Sequence, residues 1–113
     1  MAESDYEIER RSRRIPIPKV EVTIELEAAD RGDLWMGSAI DINGDGISLV
    51  LPREVAIGSS LVLSFSLDES SSFHRVSGTL LRYDQAAGTA SILFGEWGND
   101  DRICLLRFLA YQK

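Results

Sequence analysis

Cysteine and histidine are almost missing from this chain, one of each in 113 residues. A lone thiol closes no internal disulfide. Cys104 sits in an apolar helical pattern with Ile103, Leu106 and Phe108 and reads as a packed side chain, not a nucleophile. His74, flanked by Phe73 and Arg75 where a strand begins, reads as a surface residue. Metal centres need several converging His, Cys or carboxylate ligands, and nucleophilic triads need a nucleophile, a base and an orienter. The many serines between 59 and 77 carry no nucleophile-elbow pattern. The sequence therefore presents no catalytic residues, no metal site and no cofactor requirement, and it reads as a non-enzyme. Long apolar runs are also missing. None exceeds four residues, as in Ile103 to Leu106, against roughly 18 for a membrane span. The opening MAESDYEIERR has no apolar signal core. No membrane insertion and a cytoplasmic location are expected. Excess positive charge is lacking as well: 12 basic against 18 acidic residues give a net charge of −6. Together with the want of an aromatic stacking platform, this argues against DNA or RNA as partner.

What is present is the composition of one ordinary globular domain, 44% apolar and 27% charged. The basic charge is concentrated: Arg10, Arg11, Arg13 and Arg14 fall within five positions, after the acids Glu3, Asp5, Glu7 and Glu9. Residues 1–14, poor in apolar side chains, are expected to form a flexible arm, with the folded domain over 15–113. Pro16 and Pro18 forbid helix at IPIPKV and force an extended entry. Val20, Val22, Ile24 and Leu26 then alternate with polar residues, the period of a strand with one buried face. After a turn at Asp30, Arg31 and Gly32, extended runs are predicted over 33–42, 47–51, 60–67, 73–83 and 89–94, separated by turn-forming clusters. From about residue 99 the period becomes helical, with Asn99 or Asp100 as N-cap and a stripe of Ile103, Leu106 and Ala110 beside Leu105 and Leu109. Six short strands without crossover helices predict an all-β fold: a six-stranded antiparallel barrel, with the C-terminal helix over one mouth.

The segment DINGDG at 41–46 matches the first half of a calcium loop, D-x-N-x-D-G. Its twelfth position, however, is Pro52 where a bidentate glutamate belongs, and its flanks alternate like strands. A tight hairpin turn, exploiting the tolerance of Asn, Asp and Gly for positive φ, is the better reading.

Arg10 and Arg14 stand in an RxxxR spacing just before the Ile-Pro entry, and Asp41-x-Asn43-x-x-Gly46 comes at the end of the second extended run. In this order, on this strand count, the chain resembles the PilZ domain, whose signatures are RxxxR and [D/N]xSxxG. Leu81-Arg82 and Ile92-Leu93-Phe94 stand where such domains carry a V-R pair and a closing G-v-x-F. The resemblance implies a PilZ-like barrel that binds cyclic di-GMP and signals to an unidentified protein partner in motility, adhesion or secretion control. It implies Arg10 and Arg14 as ligand-binding arginines, with Arg11 and Arg13 as further phosphate contacts, and Asp41, Asn43 and Gly46 as the second half of the site. Arginine suits such a ligand because it pairs bidentately with phosphate and with the guanine O6/N7 edge and stacks on bases. Two departures stand out: Asn43 occupies the family's serine position, and Ser91 stands near a common glycine. The alternative is a ligand-independent interaction module of the same fold.

Overall fold

The computed structural model describes residues 13–26 and 34–111. Arg10, Arg11, the expected arm up to residue 12 and the turn at 30–32 lie outside the described residues. The described chain forms β1 (Ile15–Pro16), β2 (Glu21–Leu26), β3 (Leu34–Ile42), β4 (Gly46–Val50), β5 (Ser60–Asp68), β6 (Ser71–Asp84), β7 (Thr89–Phe94) and α1 (Asn99–Ala110). Every strand pair is antiparallel. Around the ring the order is β3, β2, β5, β6, β7, β4, and β4 pairs back onto β3, closing a six-stranded barrel that leaves no long sheet edge unpaired.

Period-2 alternation decides which side chains fill it. Val22, Ile24, Ile42, Ile47, Leu49, Leu61, Leu63 and Leu80 point inward and are fully buried. β1 lies on β3 beyond the end of β2, pairing Ile15 with Ile42 and Pro16 with Asp41. The Ile17 N–H donates to the Ile40 carbonyl at 2.9 Å, and the Ala39 N–H donates to the Val20 carbonyl at 2.8 Å. Residues 15–26 therefore run along β3 as one interrupted strand. The interruption falls where Pro18 has no N–H to offer the ladder, and this path sets Arg14 down beside the end of β3.

At one end the rings of Phe65, Phe73, Phe94 and Trp97 pack in a closed circuit with centroid separations of 4.3–6.4 Å, Phe65 stacked on both phenylalanines and Trp97 tilted against them. The Trp97 indole N–H donates to the Ser77 carbonyl at 3.2 Å. Next comes α1, which differs from expectation in two respects. Its N-cap is Gly98, with extended backbone and no side-chain cap, so Asn99 and Asp100 are already inside the helix. Of the expected stripe Leu105 and Leu109 are buried, joined by Phe108, while Ile103, Leu106 and Ala110 are exposed. A 12-residue helix that is apolar on two sides offers two rows at helical spacing, and contact with the barrel selects 105/108/109. These three join the interior cluster, which side chains from outside a closed ring can reach only at an open end. Cys104 is half-buried, its thiol 3.6 Å from the Ser70 carbonyl.

The β3–β4 connection is the tight turn anticipated at DINGDG, made differently. The Asn43 Oδ1 accepts from the backbone N–H groups of Asp45 and Gly46, each at 2.9 Å, and the Asn43 N–H donates to the Gly46 carbonyl at 3.0 Å. Positive φ, expected here, occurs among the described residues only at Gly58, Gly88 and Arg75. Gly46 is required for another reason: a Cβ there would lie 2.3 Å from the Ile92 carbonyl oxygen of β7. The strand pair closes so tightly that only glycine fits. Gly46→Ala should therefore cost about 1–3 kcal/mol, the usual range for overpacking, read as a lower urea midpoint. Asn43→Ala should cost a similar ~1–3 kcal/mol by leaving two turn N–H groups without their acceptor. Parental midpoints in both variants would show that this turn does not limit stability.

Candidate functional site

The inward side chains are apolar and fully buried, and the polar groups lie on the outer face, where the register of four strands writes a polar row. Asp41 of β3 stands opposite Ser48 of β4, Ser48 opposite Ser91 of β7, and Ser91 opposite Arg82 of β6. Two bulges make this row possible. The β3–β4 register shifts between Ala39 and Asp41, and the β6–β7 register shifts between Leu80 and Arg82. An extra residue in an antiparallel strand re-aims the side chains beyond it. Ala39 and Ile42 can thus both be buried with Asp41 turned outward between them, and Leu81 and Arg82 are both exposed after the fully buried Leu80.

Arg14 lies across the head of this row. Its Nε donates to Asp41 Oδ1 at 2.5 Å and its Nη2 donates to Ser48 Oγ at 3.1 Å. The side chains of Arg14 and Asp41 are 41% and 26% exposed, so the ion pair is wet and open to exchange of partners. The two halves of the sequence pattern, 27 positions apart, meet here. Asn43 is buried with its oxygen committed to the turn, and Gly46 packs on β7. Together they hold the turn beside Arg14 and shape a cleft of about 170 Å³, lined also by Asp45, Leu81, Ser91 and Leu93. Arg13 is exposed and makes no hydrogen bond or ion pair among the described residues. Arg10 and Arg11 lie outside the described residues. Arg82, at the far end of the row, was matched in the sequence to a strand-borne V-R pair but not read as a site residue. Its place opposite Ser91 depends on a bulge that no residue pattern announces.

Chemically, the face offers guanidinium, carboxylate and hydroxyl groups in one line, with Leu81 and Leu93 beside them. That combination suits a ligand carrying phosphates and flat bases better than an apolar one. The far side of the barrel differs. A shallow depression of about 570 Å³ over β2, β5 and β6 includes Lys19, Glu21 and His74 and contains none of the pattern residues. His74 and Arg75 bulge opposite Ser64, whose Oγ accepts from the Arg75 N–H at 2.9 Å, and the Arg75 guanidinium pairs with Glu25 at 2.6 Å. His74 is exposed, as its flanks suggest. Among the described residues no cluster of three or more His, Cys, Asp or Glu could hold a metal ion, and no helix is long and apolar enough to cross a membrane.

The sequence profile of the PilZ domain matches residues 8–111. Among solved structures, the fold is similar to the PilZ domain of CeSA from a cellulose-synthesizing bacterium, with a TM-score of 0.64 and 17% identity over 88% of this chain and 96% of that one. It is similar also to the Bacillus subtilis inhibitor of motility MotI/DgrA, with a TM-score of 0.67 and 20% identity, over 86% of this chain and 47% of that one. At such identities the shared feature is the fold. Among curated proteins no sequence matches this chain. The profile spans nearly the whole chain, the sequence pattern is present but for Asn43 in the serine position, and the fold is that of the structural relatives: the chain belongs to the PilZ domain family.

Proposed function

We propose that this protein is a receptor for cyclic di-GMP that changes conformation on binding and signals through a protein partner, without catalysis. The observation that carries the reading is the meeting of Arg14 with Asp41 and Ser48 on the outer face. A guanidinium has five N–H donors. Two of those on Arg14 are engaged, and the other three remain for a phosphate or for guanine O6/N7. Asp41 still has Oδ2 with which to accept from guanine N1–H and N2–H, while its Oδ1 keeps Arg14 in place. Arg10 would supply the second guanidinium of the pair, with Arg11 and Arg13 adding phosphate contacts. Asn43 and Gly46 contribute through the turn they build, and Asn43 Nδ2 is the atom that would stand in for the family's serine hydroxyl as donor.

In this reading residues 1–14 are an arm that wraps the ligand against the barrel formed by 15–113. Four closely spaced arginines gain most when phosphates neutralise them, and the coupling of ordering to binding supplies the conformational signal. Such a receptor works in the bacterial cytoplasm, where the messenger is found. MotI/DgrA, an inhibitor of motility of the same fold, supports a partner in motility control, with adhesion and secretion as related outputs. The second reading, a ligand-independent interaction module, draws on Leu34 and Met36, which are more than half exposed on β3 where it pairs with β2 and give that side of the barrel apolar surface suited to a protein.

Calorimetry separates the two. Arg14→Ala should lose roughly ten- to a hundredfold in affinity for cyclic di-GMP, the scale of hydrogen bonds to charged groups. Its stability should change by less than about 1 kcal/mol, since the pair is exposed. A parent silent toward cyclic di-GMP would favour the interaction module. Asn43→Ser should shift affinity by under about 1.5 kcal/mol if one donor replaces another; a larger loss would assign Asn43 a role that serine cannot fill. Amide hydrogen exchange over residues 8–14 should slow at saturating ligand, and unchanged exchange would contradict the wrapping arm.

A further inference from the structure

A second cleft abuts the one beside Arg14. Its volume is about 430 Å³, and its walls include Asp45, Leu93, Phe94, Glu96 and Arg102. Asp45 and Leu93 also line the first cleft, so the two recesses are neighbours that share the β3–β4 turn and one side chain of β7 as walls. Arg102 comes from α1 and Glu96 from the segment joining β7 to α1. Both are exposed, and neither makes a side-chain hydrogen bond or ion pair among the described residues, although they border the same space. Opposite charges on one cleft that do not pair with each other are set to meet a third group placed between them.

The chemistry of that group is given by the donors and acceptors. A guanidinium reads the O6/N7 edge of guanine in a bidentate fashion. A carboxylate accepts from the N1–H and N2–H groups on the other side of the same base. Leu93 and Phe94 supply the apolar wall against which a flat ring packs. Adenine fits poorly, because its N1 would face the Glu96 carboxylate with a lone pair and its N6 amine would face the arginine with a donor.

We infer that this cleft is a second guanine subsite. The inference rests on the reading of the outer face as a cyclic di-GMP site. One half of the ligand lies over Arg14, Ser48 and Ser91, and the other base enters between Glu96 and Arg102 against Leu93 and Phe94. A cyclic dinucleotide carries two bases on one ring and needs two recesses side by side, which is what Asp45 and Leu93 join.

The test uses the full chain. Arg102→Ala and Glu96→Ala should each weaken cyclic di-GMP binding by roughly tenfold in calorimetry and leave the melting temperature unchanged, since both side chains are exposed and unpaired. Trp97, whose ring lies 4.3 Å from that of Phe94, provides an independent reading: its indole N–H resonance should shift when cyclic di-GMP is added to the parent. Parental affinity in both variants, or a static Trp97 resonance while the parent binds and Arg14→Ala does not, overturns the second subsite and leaves the outer-face reading intact. Failure of the parent to bind at all removes that reading, and the subsite with it.

Discussion

The pairing of β4 with both β3 and β7 is the constraint on which the rest of the structure depends. Five residues, Gly46–Val50, hold the ring closed. Without them β3 and β7 would each present a row of unpaired backbone groups. The closure is tight enough that Gly46 has no room for a Cβ beside the Ile92 carbonyl. Inward, β4 sends Ile47 and Leu49 into the centre of the core, where neither has any exposed surface. Outward, its Ser48 bridges Asp41 and Ser91, so the strand that completes the barrel also completes the polar row on its surface.

Closure also dictates where function can reside. In a six-stranded ring whose inward leucine, isoleucine and valine side chains are fully buried, recognition falls to one face of the pleat and to loops at its rim. The protein meets this limit with bulges and with the short strand β1. Bulges in β3 and β6 turn Asp41 and Arg82 outward, and β1, riding on β3, delivers Arg14 to the same place. The chain as a whole is acidic, with 12 basic against 18 acidic residues, yet four of its arginines fall within positions 10–14, and Arg14, the last of them, lies on this face.

Much of this was legible in the sequence because it depends on periodicity and on backbone chemistry. Alternation at 20–26, 60–67 and 89–94 located the strands, and the two prolines announced the extended entry that places Arg14. The turn at 43–46 was legible from its residue types, yet its mechanism was not. Asn43 acts as an acceptor for two backbone N–H groups, and Gly46 answers a steric demand from β7, a strand more than forty residues away in the chain. Side-chain choice in α1 was legible only in part, Leu105 and Leu109 being buried as expected but Ile103, Leu106 and Ala110 not, for a related reason. Ile103/Leu106/Ala110 and Leu105/Phe108/Leu109 have equally good helical spacing, and only the barrel end decides between them. The bulges were invisible, since nothing in Ala39-Ile40-Asp41 or Leu80-Leu81-Arg82 marks an unpaired residue, and with them the alignment of Asp41, Ser48, Ser91 and Arg82 remained hidden. Long-range register is the part of the site that residue types do not encode locally.

The most direct test of the central claim, that the outer face around Arg14, Asp41 and Ser48 is a cyclic di-GMP site, is a map of backbone amide resonances during titration with the nucleotide. The account predicts that the largest shifts fall on Arg14, Asp41, Gly46, Ser48 and Ser91, with the β2–β5 side of the barrel nearly unmoved. Shifts centred on Lys19, Ser64 and His74, or none anywhere at saturating nucleotide, would contradict it.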